Sequence, residues 1–223
     1  MIRLGLLGKD ISHSKSQQMY EEILDQKISY TLFDYNSANS IPTISELFKD
    51  VSGLSITAPY KKHYLSSVKM DSKISKLNAI NCIRLNGDTF EGTNTDYLAV
   101  KEILKTFSYE CIVILGNGAM ANITKNILDE EGIEYSEYYR KKDGDISSLD
   151  LTSFKNCLII NSCSRDFLFT GKVSSTSIFW DYNYSSWQQE SVIQNMSIIY
   201  KDGLSLLKRQ AFHALSFWNI SNT

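Results

Sequence analysis

The feature that most constrains this chain lies near its middle. Cys111-Ile112-Val113-Ile114-Leu115 is an unbroken apolar run, and Gly116-Asn117-Gly118-Ala119-Met120-Ala121 follows it at once. An apolar run without alternation is what a strand buried on both faces requires, as in the middle of a parallel sheet. Glycine at 116 permits a tight turn, and glycine at 118 lets backbone N–H groups approach a ligand. The helix expected from this turn to Leu128 brings its positive dipole end to the same place. Strand, glycine turn and helix in that order form a seat for the pyrophosphate of a dinucleotide. The next expected strand, Glu134 to Tyr139, runs into Arg140-Lys141-Lys142. A carboxylate there would take the ribose of NAD or of a methyltransferase cofactor. Cations suit the 2′-phosphate of NADP, although a solvated basic turn has the same composition.

Around this unit, apolar patterning predicts strands at Ile2 to Leu7, Ser29 to Tyr35, Leu54 to Thr57, Leu158 to Asn161, Ser177 to Asp181 and Met196 to Tyr200. Asn86-Gly87-Asp88 predicts a hairpin turn between Ile80–Leu85 and Thr89–Gly92. Helices are expected at Ser16 to Leu24, Ile41 to Phe48, Thr95 to Phe107 and Leu204 to Trp218. The alternation of strands and helices indicates an α/β fold with a parallel sheet. At 223 residues the chain stands between one domain and two, and 43% hydrophobic with 22% charged residues excludes a disordered chain. A net charge of -2 offers no footprint for nucleic acid or an anionic membrane. No apolar run approaches the ~18 residues of a membrane span. The N-terminal apolar stretch is too short for a signal peptide. The four cysteines (Cys82, Cys111, Cys157, Cys163) make no CxxC pair, so the expectation is reduced thiols in a cytoplasmic protein without a metal.

Three further segments carry chemistry. Ser12-His13-Ser14-Lys15-Ser16 gathers hydroxyls and a cation just before a helix, a composition suited to a carboxylate as well as to helix capping. His13 is assigned no catalytic part. Thr57-Ala58-Pro59-Tyr60-Lys61-Lys62 ends one strand with a lysine, and Gly92-Thr93-Asn94-Thr95-Asp96 leads another into a helix. Asp96 suits a first-turn helix acid. Paired with Lys61, it would instead let the lysine exchange a proton with a bound hydroxyl while charge stays balanced.

Taken in order, these segments resemble the shikimate dehydrogenase family. The family's signatures correspond here to Ser12-His13-Ser14-Lys15-Ser16, Ile56-Thr57-Ala58-Pro59-Tyr60-Lys61, Ala79-Ile80-Asn81-Cys82 and Gly92-Thr93-Asn94-Thr95-Asp96. They continue as Gly116-Asn117-Gly118-Ala119 and Gly203-Leu204-Ser205-Leu206-Leu207-Lys208-Arg209-Gln210. The resemblance is collinear over nearly the whole chain. It implies that Lys61 and Asp96 are the catalytic pair. Ser14, Ser16, Thr57, Asn81, Tyr184 and Gln210 would hold substrate, with Ser14 and Ser16 on its carboxylate. Gly116, Gly118, Ala119, Arg140, Asn161, Ser162 and Gly203 would hold NADP. The implied activity is reversible, NADPH-dependent reduction of 3-dehydroshikimate to shikimate in aromatic biosynthesis. Quinate, an aminated analogue, or ligand binding without turnover are the alternatives.

The chain departs from the family pattern at Gln17, where proline is usual, and at Cys82 for threonine. It departs again at Tyr139-Arg140-Lys141, which keeps only the arginine, and at Asn161-Ser162-Cys163-Ser164, which lacks a proline and glycine. The expected organisation is a substrate domain of residues 1–97 completed by 205–223, and a compact Rossmann-like NADP domain of 98–204. The active site is expected in the cleft between them, in a monomer or homodimer.

Overall fold

The computed structural model describes residues 1–184 and 186–221. Ser185 and the last two residues of the expected C-terminal segment, Asn222 and Thr223, lie outside the described residues. The chain divides into two units, Met1–Leu98 with Lys208–Thr223, and Ala99–Leu207.

The first unit runs β1 (Arg3–Gly8), α1 (Ser16–Leu24), β2 (Ser29–Asp34), α2 (Ile44–Leu47), β3 (Gly53–Ile56), α3 (Ser72–Lys76), β4 (Cys82–Asn86), β5 (Thr89–Thr93) and the start of α4 (Thr95–Leu104). Its sheet has the order β2-β1-β3-β4-β5. β1 pairs parallel with β2 and β3, whereas β4 pairs antiparallel with β3 and β5. The sheet is therefore mixed, because the Asn86-Gly87-Asp88 turn folds β5 straight back on β4 and leaves no room for a crossover helix. Leu4, Leu7, Leu54, Ile56, Ile80 and Ile83 are fully covered and make its core. Helix α2 begins three residues later than Ile41. Ile41 is extended ahead of Pro42, as a residue before proline prefers, and Thr43 with Glu46 closes a capping box at the helix start.

The second unit continues through β6 (Cys111–Leu115), α5 (Ala119–Glu131), β7 (Ser136–Tyr138), α6 (Arg140–Asp143), β8 (Asp150–Leu151), β9 (Cys157–Asn161), β10 (Lys172–Val173), β11 (Ile178–Asp181), α7 (Trp187–Asn195) and β12 (Ile199–Lys201) to α8 (Leu204–Phe217). The main sheet has the order β12-β11-β9-β6-β7, and every pairing in it is parallel. The unbroken apolar runs are explained: every residue of β9 is buried, as are Ile112 to Leu115 of β6. Ile146, Leu151, Phe169, Phe179 and Ile193 join Val113, Leu115 and Ile159 of these strands in one core cluster. β7 is shorter than expected. Arg140 already belongs to the single turn of α6, where the Asp143 carboxylate accepts the Tyr139 N–H at 2.9 Å.

Candidate active site

In the first unit, three chain segments converge on the pair singled out from sequence. Lys61 follows the Thr57 turn, where Thr57 N–H donates to Leu7 O at 2.9 Å and Tyr60 N–H to Thr57 O at 3.0 Å. Ile80 N–H donates to Lys61 O at 2.8 Å, and Asn81 N–H to Thr93 O at 3.0 Å, so the backbones of all three segments are tied. Lys61 Nζ donates to Asp96 Oδ2 at 2.6 Å, with the side chains 18% and 14% exposed. Asp96 stands in the first turn of α4, where the helix dipole favours its charge. Asn94 caps that helix by accepting the Tyr97 N–H at 3.0 Å on its side-chain oxygen.

Beside the pair lies a chain of amide and hydroxyl groups. Asn81 Oδ1 accepts the Thr95 N–H at 2.7 Å, and Asn81 Nδ2 donates to Thr95 Oγ1 at 3.0 Å. The Thr95 hydroxyl donates to Gln210 Oε1, on α8, at 3.2 Å. Thr95 was not singled out from sequence, yet it joins two residues that were. Cys82 is buried next to this group, and burial first, then the Asp96 carboxylate, pushes its thiol well above the ordinary value.

The serine loop is held by Asp34, whose carboxylate accepts the Asp10 and Ile11 N–H groups at 2.9 and 3.0 Å. The close approach of the loop to β3 depends on Gly8, where a Cβ would strike Ile11 and lie 2.6 Å from Thr57 Cγ2. Ser14 Oγ donates to Ser16 Oγ at 3.1 Å and accepts the Ser16 N–H at 3.2 Å, and both serines are half-buried. The Tyr30 hydroxyl is buried and makes no hydrogen bond of good geometry among the described residues, whereas the neighbouring Tyr20 hydroxyl bonds Ser55 Oγ at 3.0 Å. Burial pushes the Tyr30 phenol upward, with the Ser16 hydroxyl pulling the other way. Sequence alone offered only a β-forming tyrosine at this position.

The second unit carries a pocket of about 590 Å3 lined by Gly116, Asn117, Gly118, Tyr139, Arg140, Ser162 and Cys163 among others. Gly116 has φ of 104°, and a Cβ there would lie 2.9 Å from Ser162 Oγ, so only glycine fits. Gly118 faces open space at the start of the 13-residue α5, which leaves the helix N-terminus accessible to an anion. Ser162 Oγ donates to Leu115 O at 2.8 Å. The opening, the exposed N-terminus and the Arg140 cation together fit a phosphorylated dinucleotide.

Four more of the residues expected at the cofactor or substrate lie in the second unit. Ala119 begins α5 but is not part of the pocket lining. Asn161 is fully buried, donating to Asp181 Oδ1 at 3.1 Å and accepting the Cys163 N–H at 3.1 Å. Gly203 packs on the Tyr182 and Asn183 backbone, donating to Asn183 O at 2.9 Å. The Tyr184 ring lies under the Arg165 guanidinium, 4.8 Å from its centre. Asp181 is itself buried, and burial raises its carboxyl above the ordinary value against the pull of Asn183, Tyr200 and Asn161. Burial, then Asp181, pushes the Cys163 thiol up to about 11, so it is protonated at neutral pH.

Residues 6–83 match the family model of the shikimate dehydrogenase substrate binding domain. The chain is 25% identical over 241 residues to a shikimate dehydrogenase (NADP(+)) of Saccharolobus islandicus, covering 96% of this chain and 88% of that protein. It is 30% identical over 141 residues to the Clostridium beijerinckii enzyme of the same name, covering 58% of this chain. Among solved structures, shikimate 5-dehydrogenase of Thermus thermophilus in complex with NADP(H) and shikimate superposes with a TM-score of 0.79. That match has 19% identity and covers 98% of this chain and 93% of that one. Shikimate dehydrogenase 1 of Peptoclostridium difficile superposes at 0.74 with 22% identity over the whole chain. These two structural likenesses establish a shared fold. The substrate-domain family model is thus matched within the first unit, and along nearly its full length the chain is similar to a curated shikimate dehydrogenase.

Proposed function

We propose that this protein catalyses the reversible, NADPH-dependent reduction of 3-dehydroshikimate to shikimate. The observation that carries the reading is the largely covered ion pair of Lys61 and Asp96 at 2.6 Å, beside the Asn81–Thr95–Gln210 chain. Lys61 Nζ donates a proton to the substrate oxygen as the carbonyl becomes an alcohol, and Asp96 keeps the site neutral when the lysine is charged. Asn81 and Gln210 hold ring hydroxyls with Thr57, and Ser14, Ser16 and Tyr30 offer hydroxyl donors to the carboxylate. Bound NADPH supplies the hydride. The Gly116–Gly118 turn and the α5 N-terminus seat its pyrophosphate, and Arg140 pairs with its 2′-phosphate. The substrate thus falls to the first unit and the cofactor to the second, in a cytoplasmic monomer or homodimer.

The test is an assay of NADP+ reduction by the purified chain with shikimate, using quinate, aminoshikimate and NAD+ as comparisons. Lys61→Ala is expected to lower kcat ~100-fold or more, the usual contribution of a general acid–base group. Saturable binding of shikimate and NADP+ without turnover in the unmodified protein would replace the enzyme by a sensor. Faster turnover of quinate than of shikimate would reassign the substrate.

A further inference from the structure

A dinucleotide fold that accepts NAD places an acidic residue about twenty residues beyond the glycine turn, on the ribose 2′-hydroxyl. This chain has an acid at that distance, Glu137, on β7 three residues before Arg140. Its carboxylate is already engaged. Lys125 Nζ, on the facing side of α5, donates to Glu137 Oε2 at 2.8 Å and to Asn117 Oδ1 at 2.9 Å. The lysine and glutamate side chains are only 17% and 25% exposed. Asn117 sits between the two glycines and lines the pocket, and Arg140 lines it as well. One ammonium group thus spans the phosphate-seating turn and the only carboxylate of β7.

We infer that Lys125 is a positioning residue that sets the pocket's preference for a 2′-phosphorylated nucleotide, an inference that rests on the cofactor reading above. It acts in two ways. It cancels the charge of Glu137, whose field would otherwise oppose a 2′-phosphate in the pocket that Asn117 and Arg140 line. It also braces Asn117, so the glycine turn keeps its shape. The departure from the family's usual residues after β7 leaves Arg140 as the pocket-lining cation of that stretch, so an unbalanced carboxylate nearby carries large weight.

A brace alone and a charge-cancelling residue make different predictions. Binding to the full chain is measured by calorimetry with adenosine 2′,5′-bisphosphate and adenosine 5′-monophosphate, which needs no turnover. The unmodified chain is expected to prefer the bisphosphate. Lys125→Met is expected to weaken the bisphosphate ~10-fold or more and the monophosphate by no more than a few fold, as an uncompensated charge demands. Adding Glu137→Gln to Lys125→Met restores most of the preference. Equal weakening of both nucleotides by Lys125→Met, or no restoration in the double variant, overturns the inference. Should Lys125→Met not fold, Glu137→Gln alone decides: a raised preference for the bisphosphate supports the inference and a lowered one sinks it. An unmodified chain that binds neither nucleotide instead removes the cofactor reading itself, and the inference with it.

Discussion

At the serine loop, Tyr30 presents a buried hydroxyl that makes no hydrogen bond of good geometry among the described residues, close to the half-buried Ser16. A buried donor left unpaired costs free energy, and an anionic ligand arriving beside it recovers that cost. Tyr30→Phe should therefore raise the KM for shikimate ~10-fold, the loss expected for one hydrogen bond to a charged group, with kcat little changed. The same variant should melt no lower than the unmodified chain, because the ligand-free protein loses only an unsatisfied group. An unchanged KM would remove Tyr30 from the carboxylate site. Residue chemistry was unevenly legible. Lys61 and Asp96 stand out because each sits at the end of a strand-closing motif, and the order of those motifs resembles the family. Tyr30 and Thr95 carry no such mark, since their contacts run to residues distant in sequence. Asn161 and Gly203 are expected at the cofactor from the resemblance alone, and the structure adds that both bond nearby backbone.

The hairpin of β4 and β5 shows how elements are joined by single side chains. Arg84 Nε and Nη2 hold Glu91 Oε2 at 2.7 and 2.6 Å, while Nη1 donates to Phe217 O, at the end of α8, at 2.5 Å. Asn86 first, then Arg84, holds the Glu91 carboxyl below its ordinary value. A carboxyl depressed in the folded state adds stability above its unfolded value and loses it as pH falls through its folded value. Glu91→Gln should therefore lower Tm at pH 7, and the gap should close as the pH is taken below the ordinary carboxylate range. A gap that persists undiminished at pH 3 would show that the pair contributes by packing alone. At this scale, periodic elements were readable and irregular ones were not. α1 spans Ser16–Leu24 as expected, with Met19, Tyr20 and Leu24 buried on one side. α7 went unseen because its buried residues are Gln189 and Ile193, too few for an apolar stripe. The glutamine is satisfied by the Phe169 backbone, with bonds of 2.8 and 3.2 Å. The strands β8 and β10, two residues each, are too short to leave any pattern.

The chain leaves the first unit within α4 and returns to it within α8. The returning segment is anchored by Trp218, 8% exposed, whose indole N–H donates to Ile83 O at 2.8 Å and whose ring lies 5.5 Å from that of Tyr20. Trp218→Ala should cost about 3–5 kcal/mol, the usual range for removing a large buried aromatic side chain. Denaturant unfolding would read this as a lower midpoint for the first unit, and a loss of unfolding free energy under ~1 kcal/mol would show that the C-terminal return is dispensable. Such closure is invisible in one dimension, as is the reach of Gln210 to Thr95, 115 positions away. The sequence by itself determined the α/β class, the glycine turn after a doubly buried strand, and the order of motifs by which the chain resembles shikimate dehydrogenases. Those are properties of period and local backbone geometry, which neighbouring residues decide. Only the tertiary structure decided that Lys61 meets Asp96, that Asn161 serves the sheet end, and that Glu137 is held by Lys125. Contacts of that kind depend on register and helix facing, which are set when distant segments pack together.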